Sequence, residues 1–344
     1  MKRFSTIFLV ATVVVLLLWQ IPWWTNFLTA RTSKVPFTLY SSVLGDFIST
    51  ERIDEKSIVL HDRAGNVFTQ EEVDSLLPFV HMRQLVAAGR FPEQVCGVDV
   101  TPHEVQRTSF SFRISPSDIN APAAGLYPLL ESMSGRVDLA MPDDVFRITG
   151  SGVEFIRMDD NAIDAGKRRN FTDALLRKGF RFPARSVAGN PTARKEYDEG
   201  YLLTDADGRL FHLKQQCGRP YVRAIELPEG CDIRHMFVTE FRDRSLLGFL
   251  VDAEGRFIVL RRSYELVPAQ LPPFDPATEG MTIIGNMLDW TVCTRTASAD
   301  RYTALRADDM TAIDSVEFPV DRRPMPGLYF TSPDDKFVRP RLIF

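Results

Sequence analysis

From Phe4 to Ala30 no position carries a charge, and Ile7 to Trp19 is almost wholly Ile, Phe, Leu, Val and Ala. About 20 apolar residues at 1.5 Å each span a bilayer core. The stretch 4–24 therefore predicts a transmembrane helix within an anchor segment 1–30. Gln20 and Pro22 lie near its far end, and Trp19, Trp23 and Trp24 follow as the aromatic belt of a headgroup boundary. Lys2 and Arg3 ahead of the run predict the amino terminus inside and the bulk outside. A cleaved signal peptide has a shorter apolar core and a small-x-small site. The nearest match here, Leu28-Thr29-Ala30, lies far downstream and has Leu at a position that wants a small residue. No cysteine follows the run closely enough for a lipid anchor. The expectation is an uncleaved signal anchor, followed by a polar tether over 31–36.

Beyond the tether the pattern predicts a mixed α/β region over 37–199. Ser57 to Phe68 reads as two apolar strands around Asp62-Arg63-Ala64-Gly65. Thr69 with Glu72 three residues on is a capping box opening a helix, kinked at Pro78 and closed at Gly89. The alternation in Arg107 to Ser115 predicts a half-buried strand, and Val137 to Met158 predicts strands around Gly150-Ser151-Gly152. A further helix is expected from an N-cap at Asn170, with Asp173 at N3, to Gly179.

Residues 200–344 read as β almost without interruption and contain a repeat. Leu203 to Lys214 aligns with Leu250 to Arg261 at an offset of 47, matching Asp205 with Asp252 and Gly208 with Gly255. Arg301-Tyr302 echoes Arg256-Phe257 more faintly. Apolar runs flanking an Asp-x-x-Gly turn are hairpins, and repeats of ~40–50 residues with several strands each suggest propeller blades. The expected fold class is mainly β with a few helices (α+β), with an N-terminal transmembrane helix and propeller-like hairpin repeats in the C-terminal half. The two regions are expected to pack as one ectodomain.

The 41 basic and 45 acidic side chains nearly cancel, which makes nucleic acid a poor partner. Four cysteines in 344 residues do not make a disulfide scaffold. An extended Tyr221 to Leu227 would hold Cys217 and Cys231 too far apart to bridge, so these two, Cys96 and Cys293 are expected free. Pro102-His103-Glu104 begins like a zinc-protease helix, but Arg107 stands where the second imidazole is needed. Gly150-Ser151-Gly152 is not a nucleophile elbow. Asp205-Ala206-Asp207-Gly208 has Leu203 where a calcium loop needs a carboxylate. The pairs Asp143-Asp144, Asp159-Asp160, Asp308-Asp309 and Asp334-Asp335 read as turn residues. His81-Met82 and His235-Met236 suit copper chemically, yet both methionines fall on apolar faces. No catalytic residue, metal or cofactor is expected. Between Lys167 and Lys195, however, nine basic residues face Asp173 alone. Arg168, Arg169, Arg177, Lys178 and Arg181 are the candidate site, a surface for an anionic partner, with Arg168 expected to pair with Asp164.

The segments Leu126 to Ser132, Asp143 to Arg147, Lys178 to Pro183, and Gly189 to Thr192 with Lys195 to Tyr201, together with Asn286 and Trp290-Thr291-Val292, resemble an uncharacterised family. Its members are single-pass envelope proteins of Gram-negative bacteria, known as a domain of unknown function. The resemblance covers nearly the whole chain and implies no activity and no catalytic residue. It implies company with ABC-transporter components, while the residues themselves let Arg147, Arg181, Asp198 and Glu199 equally be read as a structural ion-pair set. The resulting expectation is a membrane-anchored periplasmic accessory or scaffold module of an inner-membrane complex. The alternatives are a periplasmic hydrolase on a propeller-like sheet and a ligand-binding ectodomain.

Overall fold

The apolar run folds as helix α1 (Lys2–Thr29), which continues past Trp24 in a computed structural model of the chain describing residues 2–29, 35–52, 57–133, 139–322, 324–330 and 336–344. Residues 31–34 of the expected tether, and the Asp334-Asp335 pair, lie outside the described residues. A helix satisfies its own backbone groups, as hydrocarbon requires, and the Thr12 and Thr25 hydroxyls donate to carbonyls one turn back. The helix is long and apolar enough to cross a membrane, and its most apolar stretch is unburied.

Strands β1 (Phe37–Ser41), β2 (Asp46–Arg52), β3 (Ile58–Asp62) and β4 (Val67–Phe68) form a first antiparallel meander. Helix α2 (Gln70–Leu76) opens on the expected capping box. Pro78 does not merely kink it. Lacking an N–H, it ends the helix, and a separate α3 (Met82–Ala87) follows before Gly89 at φ 64°. After the short pair β5 (Gln94–Val95) and β6 (Val98–Asp99), a second capping box, Thr101 with Glu104, starts α4 (Pro102–Thr108). That box holds the helix through Thr108, so the strand expected from Arg107 is confined to β7 (Phe110–Ile114). The turn α5 (Pro116–Ile119) precedes the hairpin of β8 (Asp144–Ile148) and β9 (Val153–Arg157).

Helix α6 (Ala165–Arg177) corrects the expected start at Asn170. Its N-cap is Asp164, whose carboxylate accepts the Lys167 N–H at 2.8 Å, so Asn170 sits inside the helix. With the Asp164 carboxylate engaged at the cap, the expected Asp164–Arg168 pair does not form. Arg168 approaches Glu154 instead, at 3.9 Å.

Three more meanders follow: β10 (Ser186–Gly189) to β13 (Arg219–Ile225), through β11 (Tyr201–Thr204) and β12 (Leu210–Gln216); then β14 (Ile233–Val238), β15 (Leu246–Asp252), β16 (Phe257–Arg261) and β17 (Leu266–Pro268). The last comprises β18 (Gly280–Gly285), β19 (Asp289–Arg295), β20 (Ala299–Arg306) and β21 (Ala312–Pro319), with β7 added beside β18. The division drawn near residue 200 thus runs inside a sheet, because β10 pairs with β11. The hairpin of β22 (Gly327–Tyr329) and β23 (Arg341–Ile343) ends the chain. The architecture is mainly β, in blade-like units of four strands with β7 as a fifth strand on the last, and among the described residues no sheet closes on itself.

Both faces of the middle sheets are buried, so alternate residues join different cores. On β15 and β16, Phe249, Val251, Phe257 and Val259 pack toward the β18–β21 sheet. Leu250, Ile258 and Leu260 pack toward Leu202 and Leu210 of the preceding sheet. The other face of that sheet, through Tyr201, Leu203 and Phe211, covers Phe155 and Phe171 of β9 and α6. Tyr40 and Phe47 of the first sheet meet Cys293 and Tyr302 of the last. Burial on two sides explains why these strands read as continuous apolar runs.

The repeat is two equivalent hairpins, β11–β12 and β15–β16. In each, a buried Asp accepts backbone N–H groups two and four residues on and binds the Arg of its own turn. Asp205 thus holds Asp207, Arg209 and the Arg209 guanidinium, and Asp252 holds Glu254, Arg256 and the Arg256 guanidinium. Gly208 and Gly255 have φ 82° and 77°. Gly208→Val should cost about 1–2 kcal/mol through backbone strain. Gly255→Val should cost more, since a Cβ there would also lie 3.0 Å from the Phe274 nitrogen. Denaturant melts of the two variants check this order.

Candidate functional site

The densest chemistry in the fold is a cluster of six charges where the loop before β11 meets the next sheet. The Lys195 ammonium donates to Asp198 at 2.7 Å, to Glu240 at 2.5 Å and to the Asn190 carbonyl at 2.7 Å, using all three of its protons. Glu240 also accepts the Glu199 N–H and the Asn190 amide, each at 2.8 Å. Glu199 in turn binds Lys214 at 2.8 Å and Arg262 at 3.1 Å. Three carboxylates thus meet three cations, and each of the six carboxylate oxygens has a partner. Burial pushes the Glu240 carboxyl above its usual range, against the hydrogen bond from Lys195. Beside them, the buried His212 Nε2 donates to the Glu199 carbonyl at 2.5 Å, and its Nδ1 accepts the Tyr264 hydroxyl at 2.8 Å. Desolvation pushes the His212 imidazole down to about 4.

A nucleophile or acid–base pair needs an access route and an unspent proton. Here the Lys195 protons are spent, each carboxylate oxygen has a partner, and the pairs join two sheets, which reads as a structural latch. The ion-pair set expected from Arg147, Arg181, Asp198 and Glu199 is corrected in its partners. Asp198 and Glu199 belong to the latch, whereas Arg147 pairs with Glu154 and Arg181 with Asp207. The missed members, His212, Lys214, Glu240 and Arg262, come from three strands or their ends. The one local hint was His212 and Lys214 alternating with Phe211 and Leu213 in the apolar start of β12.

All five candidate cations, Arg168, Arg169, Arg177, Lys178 and Arg181, are exposed on or just after α6. Arg168 and Arg181 lean on Glu154 and Asp207. Arg169, Arg177 and Lys178 form no ion pair among the described residues. The basic run narrows at its ends, since Lys167 pairs with Asp144 and Lys195 is consumed by the latch.

Asp205 serves its turn, and the aspartate pairs are ion-paired or turn-building, as Asp160 with Arg157 and Asp308 with Arg306. Met236 is buried in the core, and no group of three or more His, Cys, Asp or Glu among the described residues is placed to hold a metal. All four cysteines are free.

Two concavities stand out. A cavity of about 320 Å³ is lined by Asp252, Glu254, Asp275 and Glu279, but these carboxylates are occupied by Arg256 and by backbone N–H groups of the surrounding turns. The larger, of about 870 Å³, lies between the end of α1, the β7–β18 edge and the C-terminal hairpin. Its lining includes Asn26, Arg113, Arg295, Arg322 and Arg341. These arginines come from four distant segments, and no local pattern announces them.

The chain matches no curated protein sequence. Among solved structures it is similar to PorZ, an essential bacterial surface component of the type-IX secretion system of Porphyromonas gingivalis, at 13% identity and a TM-score of 0.26, over 83% of this chain and 27% of that one. The chain therefore spans about a quarter of PorZ. The β-propeller domain of Cps50 (Swd1) from Myceliophteria thermophila is similar at 8% identity and a TM-score of 0.28, over 87% and 90% of the two chains. The WD40 domain of SCAP from fission yeast is similar at 9% identity and a TM-score of 0.32, over 88% and 78%. A family model matches residues 37–305, from β1 into β20, and the chain belongs to that family, described as a domain of unknown function (DUF4857).

Proposed function

We propose that this protein is a single-pass, membrane-anchored module. Its β-rich body stands on the outer side of the inner membrane as an accessory or scaffold subunit of an envelope complex such as a transporter. The supporting observation is the join between α1 and the body. A Cβ at Gly327 of β22 would lie 2.2 Å from Pro22 Cγ and 2.8 Å from the Leu18 carbonyl oxygen. One turn away, the Trp19 ring meets Phe330 edge-on at 5.4 Å. Cleavage after Ala30 would strip the C-terminal hairpin of its packing partner, so the contact favours an anchor over a removable leader. Lys2 and Arg3 favour the orientation. The exposed cations of α6 supply a face for an acidic partner.

The wild-type chain should resist alkaline carbonate extraction, and protease added outside the inner membrane should digest its body. Recovery of a soluble form beginning after Ala30 would overturn the anchor. Gly327→Val should leave the chain in the membrane and speed proteolysis of the C-terminal hairpin, read by limited digestion.

For the partner face, Arg169→Glu with Arg177→Glu should change stability by no more than about 0.5 kcal/mol. The same change should weaken co-purification of membrane partners at low salt. Unchanged recovery would mean that the face is only solvated.

A further inference from the structure

We infer that the cavity at the foot of α1 binds a phosphate ester, and that its ligand is the headgroup of an anionic glycerophospholipid. The ligand class rests on the anchor reading above, and the cavity itself on the following geometry.

Arg113 of β7 stands opposite Thr282 of β18, and Arg295 of β19 stands opposite Gly280. Strand alternation puts all four on one face of the sheet, opposite the core residues Ile114, Met281 and Ile283. The two guanidinium groups therefore flank a floor left open by Gly280, where a Cβ would meet nothing nearer than 3.7 Å. Neither Arg113 nor Arg295 forms an ion pair among the described residues. Arg322, also on the lining, is held in a bidentate pair with Asp300 at 2.7 Å. Among the described residues the lining carries four arginines and one carboxylate, Asp321. This is the composition of an anion site, and planar guanidinium donors suit phosphate oxygens in particular. A volume of about 870 Å³ fits a small organic group as well as a bare ion.

The second half of the argument is position. Asn26, one helical turn beyond Trp23, lines the same cavity, which sets it at headgroup depth if the tryptophans mark the boundary. The C-terminal hairpin divides its side chains to match. Arg341 and Ile343 of β23 face the cavity, whereas Leu342 between them is 56% exposed, with Val338 at 74% and Phe344 at 98%. An apolar outer surface backed by a cationic cavity suits an amphiphile, with acyl chains outside and phosphate within. A soluble phosphate ester would leave the apolar part unused.

The test uses the full-length chain in nanodiscs of equal phosphatidylglycerol and phosphatidylcholine, with lipid retained after release read by native mass spectrometry. Wild type should retain phosphatidylglycerol preferentially. Arg113→Gln with Arg295→Gln should lower that preference about tenfold. Gly280→Leu, which fills the floor without touching a charge, should lower it comparably while the thermal melt stays near wild type. Retention unchanged in both variants would overturn the site. Glycerol 3-phosphate competing as well as the lipid would overturn the lipid assignment in favour of a free phosphate ester. A wild-type chain that resists carbonate but shows no preference for phosphatidylglycerol would sink this inference and leave the anchor standing. Release by carbonate would sink the anchor and the lipid assignment together.

Discussion

Lys195→Met is expected to destabilise the folded chain by about 3–5 kcal/mol, the cost of removing one partner from a buried ion pair. Its side chain is 5% exposed, and among the described residues it is the only cation paired with Glu240 and with Asp198. Once it is gone, two carboxylates remain buried side by side, and Glu240, already pushed up by desolvation, must take a proton or draw in water. Adding Glu240→Gln should recover part of the loss, because the uncompensated charge is then halved. The exposed Arg306–Asp308 pair supplies the contrast, since Arg306→Gln should cost less than about 1 kcal/mol. Denaturant melts of the full chain in mild detergent read all three variants. A loss for Lys195→Met as small as that for Arg306→Gln would mean that water reaches the cluster and that no latch exists.

Acid should loosen the same joint through His212. Its folded pKa of about 4 lies below the ~6.5 of an unfolded histidine. The unfolded chain therefore binds the extra proton first, and stability falls as pH drops from 6.5 toward 4. Between pH 7 and pH 5 the wild type should lose about 2 kcal/mol more than His212→Gln, which cannot titrate. The sign follows from desolvation of the buried ring, which outweighs the favourable hydrogen bond to the Glu199 carbonyl. Nε2 already donates to the Glu199 carbonyl, and protonated Nδ1 would have to face the Tyr264 hydroxyl as a second donor. The nearby Lys214 also opposes a second positive charge, while Asp198 and Glu199 favour it. Parallel pH dependence in wild type and variant would show that His212 is not buried neutral.

Several of these features were legible in the sequence because they are local. The capping box of Thr69 and Glu72 lies within four residues, and the turns at Gly208 and Gly255 repeat the same Asp, Gly and Arg. Even where local signals were strong, competition between them set the boundaries. Asp164 outcompeted Asn170 as N-cap because it comes first and its carboxylate reaches the Lys167 N–H. The candidate cations of α6 were legible as a charge run, but their number was not. Lys195, in the same run, was removed from the surface by Glu240, a residue of another sheet.

The apolar helix, the β-rich remainder and the repeated Asp-x-x-Gly hairpins each follow from backbone preference and side-chain periodicity over fewer than about 30 consecutive residues. Which sheet faces lie together was set by long-range packing. That choice made a latch of Lys195, Asp198, Glu199, Lys214, Glu240 and Arg262. It also set Pro22 against Gly327 and drew Arg113 and Arg295 to the two sides of Gly280. The physical reason is that a charge or a glycine acquires its role from what the fold brings within a few ångströms of it. Strand pairings such as β7 with β18, made between residues far apart in the chain, leave no periodic trace in either segment.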